Sequence, residues 1–293
     1  MKIGVMTING FDFHPNGRFA READRAGHKI ILINPYDMGC AIAENTPGVF
    51  FGNGQDLPRV IMPRQGSPMG EYGFVLLRQF LAMGIPLVNG IDGVTIARNQ
   101  YITLQHLIGA GIPVLDSFFV TRENRFFEAL KQLGTFPVVA KQMDGMGGDG
   151  VVKLNDLSDA RAYIQSNLNP AKGLLVQAFS DPEGRRDIRA LVIGDGVAGA
   201  MVLTPAPGQF KANIHQEGKA RAFDLPEHMA AMAVKAARAC RLEIAGVDIM
   251  VDSKGDIRVV EVNYSPGFRG LEQATGFNVA GQILDHAVAL SIT

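Results

Sequence analysis

The stretch GVDIMVDSKGDIRVVEVNYSPG, from Gly246 to Gly267, decides the fold of this chain. Apolar and polar residues alternate on both sides of a short polar segment, which predicts a β-hairpin with one face on a core. With Lys254 and Gly255 as the two turn residues, antiparallel pairing places Asp248 opposite Glu261. The hairpin therefore brings two carboxylates together on one face.

Opposed carboxylates on a sheet lie roughly 5 Å apart and repel each other, so the arrangement costs stability unless a cation sits between them. Asn263 lies diagonally next to Asp248 in the same pairing and adds an amide oxygen. Two carboxylates and an amide oxygen suit Mg²⁺, which usually keeps waters and shares substrate phosphates. The hairpin is therefore a candidate magnesium site.

Two other interpretations of the hairpin stay open. It fits an edge hairpin with solvated acids, and a loop one residue longer would flip every side chain to the other face. The apolar residues Val259, Val260 and Val262 flank Glu261 and favour its burial on both sides. A buried carboxylate needs a partner, which supports the cation site.

Length and composition indicate a globular protein with several parts. The chain has 293 residues, of which 47% are hydrophobic and 19% charged, so we expect two or three subdomains. No window approaches the roughly 20 consecutive apolar residues of a membrane span. We interpret MKIGVMTI as a first strand and not as a signal peptide, and expect a cytoplasmic enzyme.

Charge and cysteine usage argue against several classes of partner. The net charge of −1 provides no basic patch for direct nucleic-acid binding. Cys40 and Cys240 lie far apart, without a CxxC or a neighbouring histidine, so they predict neither a zinc site nor a disulfide framework. We expect both to be buried apolar side chains.

Strand and helix patterns alternate over the first hundred residues, with predicted strands KIGVMTI, KIILINP, RVIMPR and PLVN, a loop after KIILINP, and helices near Arg18 to Ala26 and Tyr72 to Met83. This alternation predicts βαβ units and a parallel sheet. Such sheets bind ligands at the carboxyl ends of their strands. Arg64 directly follows the strand RVIMP and is well placed to meet an anionic substrate, although a solvated arginine fits the sequence as well. No GxGxxG follows the first strand, so a dinucleotide site is not indicated. Further along, the patterns predict one helix from about Thr95, a helix over Glu123–Leu133 and a last helix near Val279–Leu290.

The segment KQMDGMGGDGVVKL, from Lys141 to Leu154, is the second informative stretch. Its glycines, which include Gly147 and Gly148, would let backbone amides approach a phosphate, and Lys141 could add a positive charge. It is not a Walker loop, because no GK[ST] opens a helix. A flexible hairpin connection is the alternative.

Polar residues then recur between predicted strands. GLLVQAF is an apolar strand that could offer its backbone to an adenine ring, and a clear hairpin turns around Gly194 to Gly196. Strand alternation puts Asp187 and Arg189 on one face, where they could contact a ribose and a phosphate, or form a surface salt bridge. The long loop PAPGQFKANIHQEGKA is of the kind that more often serves function than structure.

These motifs together resemble the ATP-grasp ligases, and in order and spacing the RimK-like α-L-glutamate ligases, over essentially the whole chain. The segments that carry the resemblance are RQGSPMGEYG, KQMDGMGGDGV, QAFSDPEGRRDIR, KANIH, AGVDIM and EVNYSPG. It implies an α/β and α+β protein with the ATP-grasp fold and a Rossmann-like pre-ATP-grasp domain over residues 1–95. Residues 96–180 would form the central subdomain with the glycine-rich loop, and 181–293 the C-terminal subdomain with the metal hairpin.

The resemblance also assigns roles to residues. Arg189, Lys211 and Asn213 would be catalytic. Our own first guess for the residue that holds a substrate carboxylate is Arg64 or Arg269. The implied metal ligands are Asp248, Glu261 and Asn263. The implied nucleotide contacts are Lys141, Gly147, Gly148, Gln177, Ala178, Phe179, Asp187, Lys211, Ala212 and Asn213.

The chain departs from the family pattern in several places. Arg98, Asn99 and Gln100 stand where family members carry Arg-Asp-Lys, so one lysine on the ATP phosphates is missing. Lys211 and Gln216 replace arginines, and a lysine cannot reproduce a bidentate guanidinium contact. Arg269 replaces a glutamate, and Ala178 replaces a glutamate whose backbone contact would survive.

The activity implied is that of an ATP- and Mg²⁺- (or Mn²⁺-) dependent carboxylate–amine ligase that acts through an acyl phosphate. It would add glutamate or a similar amino acid to a peptide, protein or small-molecule carboxylate, as a homo-oligomer without membrane contact. The altered residues motivate an alternative, a nucleotide-binding regulatory or partner-binding protein with impaired catalysis. A phosphotransferase is a third possibility.

Overall fold

The computed structural model describes residues 1–50, 57–64, 70–143, 150–204 and 219–292, and in these ranges the chain forms three main sheets in sequence order. The first is parallel, with strand order β2-β1-β5, as the sequence predicted. Its strands are β1 (Lys2–Met6), β2 (Lys29–Ile33) and β5 (Val60–Pro63). The predicted strand PLVN contributes only a single bridge, between Leu87 and Ile61.

The helices of this unit are α1 (His14–Arg25) and α2 (Gly70–Ala82). Helix α1 begins four residues earlier than the prediction at Arg18, because Pro15 lies in the first turn, where its fixed φ angle and missing N–H are tolerated. A hairpin of β3 (Gly39–Ala43) and β4 (Thr46–Phe50) lies where a loop was predicted. The Gln79 amide on α2 anchors this hairpin by donating to the carbonyls of Ala41 and Gly48.

Two helices, and not one, connect the first sheet to the second: α3 (Ile91–Arg98) and α4 (Gln100–Gly109). Asn99 separates them, because it has an extended backbone and its side-chain oxygen accepts from the N–H groups of Tyr101 and Ile102. An Asn in this conformation ends one helix and caps the next.

The second sheet is antiparallel, with strand order β6-β9-β7-β8. Its strands are β6 (Ser117–Val120), β7 (Val138–Gln142), β8 (Val151–Leu154) and β9 (Leu174–Ala178). Helices α5 (Glu123–Leu133) and α6 (Leu157–Asn167) share a buried core with one face, which includes Val138, Ala140 and Val176. Strand alternation turns Val139, Lys141 and Gln177 to the opposite face.

The third sheet is also antiparallel, with strand order β12-β11-β10-β13-β14. Its strands are β10 (Arg186–Ile193), β11 (Gly196–Thr204), β12 (Lys219–Ala222), β13 (Ile244–Val251) and β14 (Ile257–Asn263). The helices of this part are α7 (Glu227–Ala239), α8 (Arg269–Thr275) and α9 (Val279–Leu290). Ile3, Val5 and Phe19 of the first unit share a core with Phe268 and Ile283, so the first and third sheets are packed together.

The β13–β14 hairpin differs from the prediction in its turn and in a bulge, and these two differences have opposite effects on the strand register. Three residues, Ser253 to Gly255, form the turn, since the N–H of Asp252 still donates to the carbonyl of Asp256. A loop of this length shifts the register by one residue, and a bulge at Val260 shifts it back. Asp248 therefore faces Glu261 as predicted, although the predicted two-residue turn is wrong.

Cys240 is buried and Cys40 is half-buried, and neither forms a disulfide. Over the described parts of the chain, every helix is too short or too polar to cross a bilayer.

Candidate functional site

The three predicted metal ligands lie together at the end of the β13–β14 hairpin. Asp248 is opposite Glu261, and Asn263 is opposite Gly246 and hydrogen-bonded to Glu261. A side chain at Gly246 would meet Pro266, because a Cβ atom there would lie 2.8 Å from the Pro266 Cβ. Gly246 thus allows the chain after β14 to fold back close to Asn263.

Glu261 is exposed, so the prediction that it is buried is wrong. The bulge at Val260 explains the difference, because it reverses the alternation and turns Val259 into the core while Glu261 points to the other face. The pKa of Glu261 is nevertheless raised, first because the surrounding protein limits its hydration and then because the Asp248 carboxylate is close. This excess of negative charge favours a cation between the two carboxylates.

Arg189 lies opposite Asp248 in the β10–β13 pairing and holds it with two hydrogen bonds. Its Nε and Nη2 atoms donate to the two carboxylate oxygens, each at 2.6 Å. The charge of Asp248 raises the pKa of Arg189 further. Arg189 therefore lies at the candidate metal site, and in this state it contacts a carboxylate.

The donor set fits a small hard cation. Two carboxylates and one amide carry one negative charge more than Arg189 balances. In the described residues, no group of three or more His, Cys, Asp or Glu side chains forms a metal cluster, so this hairpin depends on the amide of Asn263. Oxygen ligands of this kind, completed by water or phosphate, are typical of Mg²⁺.

Lys141 belongs to the same site. It is the penultimate residue of β7, on the face away from the helices, and its positive charge acts on Glu261 and opposes the rise in the pKa of that carboxyl. The second sheet therefore turns its open face toward the metal hairpin of the third sheet. A nucleotide between them would have Lys141 on one side and the carboxylates on the other.

Asp187 lies on the same side of β10 as Arg189, but the two residues have different partners. Arg185 donates from Nη2 to the Asp187 carboxylate at 2.9 Å, while Arg189 pairs with Asp248. Burial raises the pKa of Asp187, the positive charge of Arg185 opposes the rise, and the negative charge of Asp248 adds to it. Asp187 and Asp248 therefore face the same cleft.

The predicted hinge is built into the second sheet. Gln177 is buried and its Nε2 donates to the Ser117 hydroxyl at 2.8 Å, so only its backbone is available to a nucleotide. The N–H of Ala178 donates to the carbonyl of Asp116. Phe179 lies under Lys153, whose Nζ is 4.8 Å from the ring centroid.

Lys153 is a residue at this site that the sequence interpretation missed. It pairs with Val139 on the same sheet face as Lys141. The signal that could have found it is the strand VVKL, in which a lone lysine interrupts three apolar residues directly after the glycine loop.

Gln100, where the resemblance implies a lysine, also lies beside the hairpin. Its Nε2 donates to the carbonyl of the bulged residue Val260 at 3.4 Å. The position therefore adjoins the metal site but contributes an amide there and no charge.

Arg64 is not a solvated arginine. Its guanidinium lies 5.6 Å from the Phe19 ring and 5.9 Å from the Phe268 ring, and its Nη2 donates to the Pro266 carbonyl at 2.6 Å. Burial lowers the pKa of Arg64 to about 10. Arg269 begins α8, next to Phe268, and is exposed.

Five predicted site residues lie outside the described residues: Gly147, Gly148, Lys211, Ala212 and Asn213. Gln216 lies there as well. Their roles stay predictions.

The sequence matches two parts of one protein family. Residues 1–94 match the RimK PreATP-grasp domain, and residues 97–287 match the RimK-like ATP-grasp domain. A probable alpha-L-glutamate ligase of Legionella pneumophila (strain Corby) is 33% identical over 288 residues, which cover 98% of this chain and 95% of the relative. One of Marinobacter nauticus is 34% identical over 287 residues, 97% of this chain and 94% of the relative.

Solved structures share the fold at lower identity. A RimK domain ATP-grasp protein from Sphaerobacter thermophilus superposes with a TM-score of 0.74 at 21% identity, over 98% of this chain and 100% of the other. D-alanine–D-alanine ligase from Bacillus anthracis, complexed with ATP, has a TM-score of 0.73 at 18% identity, over 100% and 97%. These likenesses confirm the predicted ATP-grasp fold with its N-terminal pre-ATP-grasp domain.

Proposed function

The chain belongs to the RimK-like ATP-grasp family, and on that premise we propose that it is an ATP-dependent ligase that joins a carboxylate to an amine. One observation carries the proposal: Asp248, Glu261 and Asn263 lie together, and Lys141 of another sheet faces them. A structural hairpin has no need for opposed carboxylates, whereas phosphoryl transfer needs a metal and a cation at one place. The curated relatives named probable alpha-L-glutamate ligase support the same reaction class.

Asp248, Glu261 and Asn263 would hold Mg²⁺, which supplies neutralising charge to the phosphate oxygens of ATP. Lys141 adds a compact positive charge on the opposite wall of the cleft. Arg189 has five N–H donors, of which Asp248 uses two, so the others can bind phosphate. The backbone of residues 177–179 would receive the adenine, and Asp187 would receive the ribose.

In the proposed reaction, a substrate carboxylate oxygen attacks the γ-phosphorus of ATP in line, and ADP leaves. The amine of the second substrate then attacks the acyl carbon, inorganic phosphate leaves, and the amine loses a proton as the amide forms. The protein positions the reactants and neutralises charge, and no covalent protein intermediate is required. We propose the same division at residues 95 and 180, with the nucleotide between the last two parts.

Glutamate is the first candidate for the amino acid, with a peptide, protein or small-molecule carboxylate as acceptor. The names of the relatives support glutamate. Arg269 is exposed beside the chain that follows Asn263, where a substrate carboxylate could reach it. The cytoplasmic location and the homo-oligomeric state stay predictions.

A second candidate is a nucleotide-binding module without catalysis. It is favoured by Gln100, whose amide contacts Val260 at a position where the family has a lysine on the ATP phosphates. The complete set of Asp248, Glu261 and Asn263 argues against it, because these ligands serve a reaction or a tightly held nucleotide.

Incubation of the purified protein with ATP, Mg²⁺, glutamate and candidate acceptors separates these functions. ADP release together with a glutamyl mass gain on the acceptor supports the ligase, while a phosphate mass gain supports a phosphotransferase. Tight ATP binding without ADP release supports the nucleotide-binding module without catalysis. Glu261→Gln should abolish the Mg²⁺-dependent reaction, and Glu123→Gln, an exposed change on α5, is the matched control.

A further inference from the structure

Three buried polar atoms without a hydrogen-bond partner lie at one junction of the described structure. They are Nδ1 of His14, Oδ1 of Asn16 and Nη1 of Arg64. A buried donor or acceptor without a partner costs free energy, so each one requires an explanation. Three at one place indicate a polar ligand.

Strand order explains how these residues meet. His14 and Asn16 lie in the first turn of α1, which follows β1, and Arg64 directly follows β5. Because β1 and β5 are neighbouring parallel strands, all three residues lie at the carboxyl edge of one sheet. The Phe268 ring connects two of them, since its centroid is 5.6 Å from the His14 ring and 5.9 Å from the Arg64 guanidinium, and Asn16 lies two residues after His14 in the same first turn of α1.

The junction adjoins the proposed reaction centre. Arg64 donates to the carbonyl of Pro266, and Pro266 packs against Gly246, the residue opposite Asn263. The guanidinium is therefore connected to a proposed metal ligand through one packed proline.

The positive charge of Arg64 at the junction favours binding of an anion. Tyr264 is the only described group whose charge acts appreciably on Arg64, so none of the described carboxylates balances the guanidinium. The nearest acid of the junction, Glu272, is already bound by Nε and Nη2 of Arg18. A buried arginine without a counter-charge is costly, and water can satisfy its N–H groups but cannot neutralise it.

We propose that His14, Asn16 and Arg64 form the subsite for the α-carboxylate and α-amine of the amino-acid substrate. Arg64 Nη1 donates to the carboxylate, and Asn16 Oδ1 and His14 Nδ1 accept from the amine, because His14 Nε2 faces the Glu272 carboxylate at 3.6 Å and carries the ring proton. Asn16 is held for this role because its Nδ2 donates to the carbonyls of Asn9 and Gly10. The inference rests on the proposed ligase function and names the residues that hold one of its substrates.

The test is direct binding to the full-length protein, measured by calorimetry with and without Mg²⁺ and a non-hydrolysable ATP analogue. The twenty L-amino acids are titrated, and the tightest binder is compared with its decarboxylated and N-acetylated forms. Arg64→Met should weaken binding of the amino acid roughly 10- to 100-fold, as expected for a lost charge-assisted hydrogen bond. The decarboxylated form should bind wild type and Arg64→Met equally, and the N-acetylated form should bind wild type at least about tenfold more weakly than the amino acid.

Arg59→Met is the matched control, because Arg59 is exposed at the opposite end of the same strand. It should change none of these affinities. If Arg64→Met fails to fold, Arg64→Lys is used instead, because it keeps the positive charge. Arg64→Lys should weaken binding of the amino acid by less than the roughly 10- to 100-fold expected for Arg64→Met, and should still prefer the carboxylated form to the decarboxylated one.

Three results would overturn the proposal: no L-amino acid binds wild type, Arg64→Met or Arg64→Lys binds it like wild type, or Arg64→Met weakens the decarboxylated form equally. The last two would mean that Arg64 acts only in packing, with ordered water at the junction. Binding of the ATP analogue is measured in the same samples. If the ATP analogue does not bind but the amino acid does, the ligase function is refuted while the amino-acid subsite is supported.

Discussion

Asn89 joins the first unit of the protein to the metal hairpin, and its removal should be costly. The side chain is 1% exposed and makes four hydrogen bonds. Its Nδ2 donates to the carbonyls of Ile244 and Tyr264, both at 2.8 Å. Its Oδ1 accepts from the N–H groups of Glu243 at 2.8 Å and Ile244 at 2.7 Å. Ile244 begins β13, and Tyr264 directly follows Asn263.

Asn89→Ala would leave two carbonyls and two N–H groups without partners in a dry site. Each such group costs about 1–3 kcal/mol, and partial relaxation makes the four costs less than additive, so we expect a loss of about 4 kcal/mol. An unfolding entropy of about 2.1 cal/mol/K per residue, taken over 293 residues, converts this loss into a fall in Tm of about 6 °C.

Differential scanning calorimetry at pH 7 measures this shift. Asn155→Ala, which removes an exposed asparagine hydrogen-bonded to Asp159, is the control and should lower Tm by less than about 1 °C. A fall in Tm of less than about 2 °C for Asn89→Ala would refute the view that the hydrogen bonds of this amide stabilise the contact between the two units. The affinity for Mg²⁺ and an ATP analogue should weaken together with stability, because the same bonds position the chain beside Asn263.

Three further predictions concern the site and its surroundings. Glu261→Gln should weaken Mg²⁺-dependent binding of an ATP analogue at least about tenfold while Tm stays within about 1 °C, because Glu261 is an exposed proposed ligand; unchanged Mg²⁺ dependence in calorimetric titrations would contradict the site. Gln100→Lys places a cation beside Val260 and should tighten ATP binding several-fold, whereas an unaltered Kd would show that another residue fills this role. Burial alone would raise the pKa of Glu22, but hydrogen bonds from Arg18 and Asn278 hold it below its ordinary value, so its contribution to stability is present above about pH 4.3 and is lost as the pH falls through the folded pKa. Glu22→Gln should therefore lower Tm more at pH 7 than at pH 3, and an equal loss at both values would count against this linkage.

Asp248→Asn does not test metal binding alone, although the sequence predicts Asp248 as a metal ligand. The structure shows that Asp248 balances Arg189 through two hydrogen bonds, so its neutralisation also removes the counter-charge of a largely enclosed arginine. A change at Asp248 thus mixes loss of metal binding with loss of stability, whereas Glu261 separates the two.

Regular elements with strong local patterns were predictable from the sequence. Helices α5 and α9 have the predicted bounds, because each presents a periodic apolar face and Gly134, in the left-handed conformation, ends α5. The β3–β4 hairpin was not predictable in this way, since Gly39 to Phe50 lacks a strand-like alternation and is held by Gln79 from a distant helix.

The amino-acid sequence by itself determined the family, the order of the elements and the opposition of Asp248 and Glu261, because motif spacing and hydrophobic alternation act over short distances along the chain. Only the tertiary structure decided the three-residue turn and the compensating bulge, the exposure of Glu261, and the pairing of Arg189 with Asp248. It also brought His14, Asn16 and Arg64 to one junction. These features depend on contacts between residues far apart in the chain, and hydrogen-bond satisfaction and charge balance across such contacts leave no periodic trace in the sequence.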